Sequence, residues 1–157
     1  MKRRHFVAGG VALGTALVVP AARAQSKAAI PPQLAPNPAE FKKAMADFVG
    51  RAKPLETGLK LEVPVLADNP SAVPVHVSVT LPLSDQLYCK ELIVLAEQNP
   101  SPLACRFQFT PFTGSAEAAA RLRLSQTQAV HALARMSDGR VLVARQNVTV
   151  AASGCGM

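Results

Sequence analysis

Val73-Pro74-Val75-His76-Val77-Ser78-Val79-Thr80 puts four valines on one side of an extended chain and His76, Ser78 and Thr80 on the other. Alternation with period two, carried by a β-branched residue, is the mark of a half-buried strand. The same rhythm continues downstream. Leu92, Val94 and Ala96 oppose Glu91 and Glu97, Phe107 and Phe109 oppose Arg106 and Gln108, and Ala118, Ala120, Leu122 and Leu124 oppose Arg121 and Arg123. Two more runs, Val130–Met136 and Val141–Val150, flank Asp138-Gly139, a dipeptide suited to a tight hairpin turn. With Leu59–Val63 at the front, the pattern predicts about seven short strands. That is an all-β fold, an antiparallel β-sandwich of immunoglobulin-like type.

Upstream of these strands lies one predicted helix. Asn37 can cap it, Pro38 fits its first position and Glu40 its third, a capping-box-like start. Phe41, Met45, Phe48, Val49 and Ala52 then form an apolar stripe, with Lys42, Lys43 and Asp47 facing away, and Gly50 and Pro54 mark its end. One strand departs from clean alternation, since Ile93 and Leu95 are apolar where the solvent face calls for polar side chains. A strand apolar on both faces is covered on both faces. The cover is either this helix or another subunit.

The chain has 157 residues, enough for one domain, with 17 basic and 10 acidic side chains. Its first 24 residues hold Lys2, Arg3, Arg4 and Arg23, no acid and a mildly apolar stretch from Val7 to Pro20. Ala22-Arg23-Ala24 offers a small-x-small cleavage site, so residues 1–24 read as a signal peptide. The apolar stretch is shorter than the roughly 20 residues a membrane span needs. Paired Arg3 and Arg4 followed by Phe6 point to the twin-arginine route, which exports folded proteins; an ordinary secretory leader is the other reading. The mature chain is then a soluble periplasmic protein with no membrane anchor. Without the leader the formal charge falls from +7 to +3, which removes most of the case for nucleic-acid binding. Residues 25–37, rich in proline, form a lead-in, 38–150 the domain, and 151–157 a tail.

Several chemistries find no support. No phosphate-binding loop, dinucleotide fingerprint or nucleophile elbow occurs. His76 and His131 each stand alone in their strands, without Cys, Asp or Glu at metal-ligand spacing, so no metal is expected. The three cysteines carry more information. Cys105 shares the parity of Phe107 and Phe109 and is expected in the core, whereas Cys89 shares the parity of Glu91 and is expected to point outward. Opposite faces would prevent a Cys89–Cys105 disulfide, unless the register slips near Pro82.

Cys155 differs in kind. It sits in Ala151-Ala152-Ser153-Gly154-Cys155-Gly156-Met157, where Ser153, Gly154 and Gly156 leave the thiol without bulky neighbours. Seven extended residues can reach roughly 23 Å. Such a flexible C-terminal arm cannot build a pocket around its own cysteine, but it can carry the thiol into another protein's active site. The competing reading is a tail whose cysteine forms an adventitious intermolecular disulfide.

Four stretches together resemble the SoxY family, the sulfur-carrying subunits of periplasmic thiosulfate-oxidising systems. They are Arg3-Arg4-His5-Phe6, Asp68-Asn69-Pro70 through Val73-Pro74-Val75, Asn99-Pro100 with Phe107-Gln108-Phe109-Thr110-Pro111, and Gly154-Cys155-Gly156. The family's terminal motif is Gly-Gly-Cys-Gly; here Ser153 replaces the first glycine and Met157 follows the last. The resemblance implies an immunoglobulin-like sandwich paired with a SoxZ-like subunit. It also implies Cys155 as the covalent attachment point for sulfur, with no catalytic residue, metal or other cofactor in the chain itself. The implied transient partners are a SoxAX cytochrome, a SoxB hydrolase and a sulfane dehydrogenase. Other readings are an accessory carrier for a different periplasmic oxidation, a redox enzyme using Cys89 and Cys105 as a dithiol, and a binding module whose tail cysteine has no carrier role.

Overall fold

Pro38–Val49 forms the helix α1, and its first turn is closed as the sequence implies. The Asn37 carboxamide oxygen accepts a hydrogen bond from the Glu40 amide at 3.1 Å, while its side-chain nitrogen donates to the Glu40 carboxylate at 2.9 Å. At the other end the Gly50 amide donates to the Ala46 carbonyl at 2.8 Å, with Gly50 at a positive φ of 59°. The computed structural model describes residues 35–151. The leader with Arg3 and Arg4, most of the lead-in, and Ser153, Gly154, Cys155 and Gly156 lie outside the described residues.

Among the described residues, eight strands follow the helix: β1 Leu59–Glu62, β2 Leu66–Ala67, β3 Val73–Val79, β4 Cys89–Ala96, β5 Leu103–Gln108, β6 Glu117–Leu122, β7 Gln128–Met136 and β8 Val141–Val150. They form two sheets, in the orders β1-β3-β6 and β2-β8-β7-β4-β5. The fold is therefore an all-β, immunoglobulin-like sandwich with one helix outside it. Strand β2, too short to show a period in the sequence, adds to the expected set and runs parallel to β8. The remaining strand pairings are antiparallel. The β7–β8 hairpin pairs Arg135 with Val141 and Gln128 with Val148 around Asp138-Gly139, where Gly139 takes a φ of 89°.

The valines of the opening motif meet the larger sheet in the interior. Val73, Val75 and Val77 are buried together with Leu92, Val94, Val130, Ala132, Leu142 and Val148. On the far side of the larger sheet a second apolar cluster joins Ile93, Leu95, Leu133 and Val141 to Phe48, with Phe41, Met45 and Val49 packed around it. The cover over Ile93 and Leu95 is thus the helix of the same chain. Burying a side chain of this size stabilises the fold by about 1.5–3 kcal/mol relative to leaving it in water. The helix is also tied down by a cation: the Arg135 guanidinium stands 4.7 Å from the Phe48 ring centre and donates to the Phe48 carbonyl.

Candidate functional site

The end of β8 fixes the position of Ala151, the last described residue before Cys155. Leu66 lies opposite Thr149 and Ala67 opposite Val150. The Thr149 amide donates to the Val65 carbonyl at 2.8 Å, and the Ala151 amide donates to the Ala67 carbonyl at 3.0 Å. Val148 is fully buried, and the Val150 amide donates to the Thr127 hydroxyl at 3.0 Å. The chain is therefore held to within four positions of Cys155. Beside the end of β8 stand two large apolar side chains left in solvent, Val65 at 66% and Leu66 at 53% exposure. Neither stands out in the sequence, because Pro64 and a two-residue strand hide any alternation.

The other two cysteines are free thiols. Cys89 is buried in the sandwich interior, which corrects the expectation that it faces outward. The reason is a bulge. Glu91 lies opposite Arg135 but Cys89 lies opposite Met136, so β4 spends one extra residue, Lys90, against a single step of β7. One inserted residue flips the parity of everything before it, and Cys89 joins Met136 on the inner face. Cys105 is half-buried against the same cluster, on the expected side.

The two cannot pair. Cys105 lies opposite Val94, five positions along β4 from Cys89. At the rise of a strand this is roughly 16 Å, far beyond the Cα separation of about 7 Å that a disulfide spans. Nor is either thiol an activated nucleophile. Burial pushes the Cys89 thiol up to about 11, against a smaller opposing effect of its hydrogen bond to the Glu91 carbonyl at 3.4 Å. Burial likewise raises Cys105, offset in part by a backbone hydrogen bond at Val94. A dithiol redox centre at Cys89 and Cys105 is excluded by this geometry.

His76 and His131 acquire acidic neighbours that spacing could not reveal. His76 Nδ1 lies 3.1 Å from Glu62, its cross-strand partner, and His76 Nε2 lies 4.0 Å from Glu117. The ring remains partly in solvent. His131 is buried on the helix side of the larger sheet, 3.3 Å from Glu97 and 5.1 Å, centre to centre, from the Phe41 ring. Burial lowers its proton affinity more than Glu97 restores it, and Arg145 lowers it further. Among the described residues, no three of His, Cys, Asp and Glu converge to hold a metal ion.

A family model described as "Sulfur oxidation protein SoxY" matches residues 45–155, more than two thirds of the chain and up to Cys155 itself. No curated protein sequence matches. Among solved structures, the sulfur carrier protein SoxY from Chlorobium limicola f thiosulfatophilum superposes with a TM-score of 0.58 at 22% identity, over 73% of this chain and 98% of that one. A superoxide reductase (neelaredoxin) from Ignicoccus hospitalis gives a TM-score of 0.53 at 18% identity, over 59% of this chain and 79% of that one. At such identities these likenesses establish the fold alone.

Proposed function

The chain belongs to the SoxY family of sulfur oxidation proteins, and we propose that it is a non-catalytic sulfur carrier whose Cys155 thiol holds thiosulfate-derived intermediates in the periplasm. The observation that carries the reading is the family match extending to Cys155, in a chain whose Cys89 is buried in the sandwich and whose Cys105 is half-buried against it. The thiol supplies a covalent handle, and the enzymes that receive it supply the catalysis.

The chemistry can be written in two balanced steps. Thiosulfate joins the thiol by forming an S–S bond, giving Cys155–S–S–SO3−, with one proton lost and two electrons passed to a SoxAX-type cytochrome. Water then cleaves the terminal S–S bond on a SoxB-type hydrolase, leaving Cys155–S–S− and releasing sulfate and two protons. A sulfane dehydrogenase would oxidise the remaining sulfur. The protein's contribution is to hold the root of the tail rigidly through the β2–β8 hydrogen bonds while keeping competing thiols out of reach. A SoxZ-like subunit completes the carrier, and Arg3 and Arg4 direct export of the folded pair.

Intact mass spectrometry of protein from thiosulfate-grown cells tests this. Adducts should map to Cys155, disappear on reduction and be absent from Cys155→Ser. An unmodified Cys155, together with full thiosulfate oxidation in the Ser variant, refutes the reading.

A further inference from the structure

We propose that Val65 and Leu66, the exposed apolar step beside the root of the C-terminal tail, form the docking surface for the enzyme that takes up Cys155. The inference rests on the carrier reading and adds to it a place of contact. Its first support is the length of the tether. The chain is hydrogen-bonded to the sandwich as far as Ala151, and Cys155 lies only four positions further on. Fully extended, that stretch spans roughly 14 Å. A pocket deep enough to enclose the thiol between Gly154 and Gly156 uses most of that reach, so the pocket's rim must come down onto the surface around Ala151.

The second support is what that surface contains. Leu66 lies directly opposite Thr149 in the ladder, and the Val65 carbonyl accepts the Thr149 amide. Their backbones hold the root while their side chains stay 53% and 66% exposed, Leu66 and Val65 respectively. Apolar side chains left in water beside a short tether fit an enzyme rim that is itself apolar, and covering them lets the enzyme distinguish the carrier from any other small thiol. The contact is made beside the same two-residue strand that anchors the tail, so docking and delivery are geometrically coupled.

A SoxB-type hydrolase, purified from the same organism, provides the test. Sulfate release is followed from the mature chain bearing –S–S–SO3− on Cys155, and from a heptapeptide of residues 151–157 bearing the same group. The whole chain should exceed the peptide in kcat/KM by roughly tenfold or more. The double variant Val65→Ser/Leu66→Ser should fall to the level of the peptide, through KM rather than kcat, while Leu66→Met keeps the advantage. Both side chains are exposed, so the melting temperature should not change. Phe112→Ser, at a side chain 94% exposed in the connection between β5 and β6, should behave as wild type. Wild-type kcat/KM in the double variant overturns the proposal. So does loss of the SoxZ-like subunit, or of a homodimer, on gel filtration of that variant, because the patch then belongs to subunit assembly. If neither the wild-type chain nor the peptide releases sulfate, the carrier reading itself fails and the docking proposal falls with it.

Discussion

Replacing Phe48 by Ala isolates the helix as the cover of the larger sheet. Phe48 is 4% exposed, the one fully buried residue of α1, and it sits on Ile93, Leu95, Leu133 and Val141. Truncating a buried Phe costs about 3–5 kcal/mol through lost transfer free energy and the cavity left behind. Loss of the Arg135–ring contact adds about 0.5–1 kcal/mol at a partly exposed site. The sum, roughly 4–6 kcal/mol, is a large share of the 5–15 kcal/mol that stabilises a typical domain. It should lower the melting temperature by about 10–20 °C. Urea unfolding of the mature chain alone, followed by circular dichroism, reads the change as a lower midpoint. The variant should also bind a hydrophobic dye below its midpoint, as Ile93 and Leu95 lose their cover. A loss below about 1 kcal/mol would show that the helix is not what closes this face in solution, and the packing argument would be refuted.

Three other outcomes follow from buried and constrained positions. With Cys89 pushed up to about 11 by burial, its folded-state value exceeds the ordinary 9.0, so the stability it contributes is complete below pH 9 and is lost as pH rises toward 11. Iodoacetamide at about pH 8, below the ordinary thiol value, should therefore label Cys155 in the folded chain and leave Cys89 unlabelled until urea is added; rapid labelling of Cys89 in the native protein would contradict its burial. For His131 the sign is reversed. Its folded value is depressed chiefly by burial, so the contribution is present above about pH 6.5 and is lost as pH falls, and His131→Gln should flatten the fall in melting temperature between about pH 7 and pH 5. Finally, Gly58 and Gly139 share a φ of 89°, but a Cβ at Gly58 would come within 2.8 Å of Leu81 whereas one at Gly139 meets nothing. Alanine at Gly139 should cost about 1 kcal/mol from backbone strain alone, and alanine at Gly58 measurably more in the same urea titration.

The helix and the strands were legible because their signals are local. Asn37, Pro38 and Glu40 lie within a single turn, and their hydrogen bonds form as the residue types suggest. The valines of β3 and the Asp138-Gly139 hairpin likewise need no distant partner to declare themselves. What the sequence left open depended on residues far apart in the chain. The choice between helix and partner over Ile93 required knowing that Phe48, 45 positions earlier, packs on it. Glu97 meets His131 across 34 positions, through neighbouring strands.

Cys89 shows the limit of parity counting most sharply, and also its consequence. Alternation is a reliable guide only while each strand spends one residue per step of its partner. Lys90 breaks that rule against β7, and a second irregularity, where Val94 faces Cys105 but Leu95 faces Leu103, breaks it against β5. Neither carries a glycine or proline to announce it. The first bulge moves a thiol from the solvent side into a site where burial keeps it protonated. For a protein whose proposed work is done by one cysteine, that displacement matters: an exposed Cys89 thiolate would compete for the same oxidised sulfur. Withdrawing Cys89 into the core, and separating it from Cys105 by five strand positions, fits the proposal that Cys155 alone carries the sulfur.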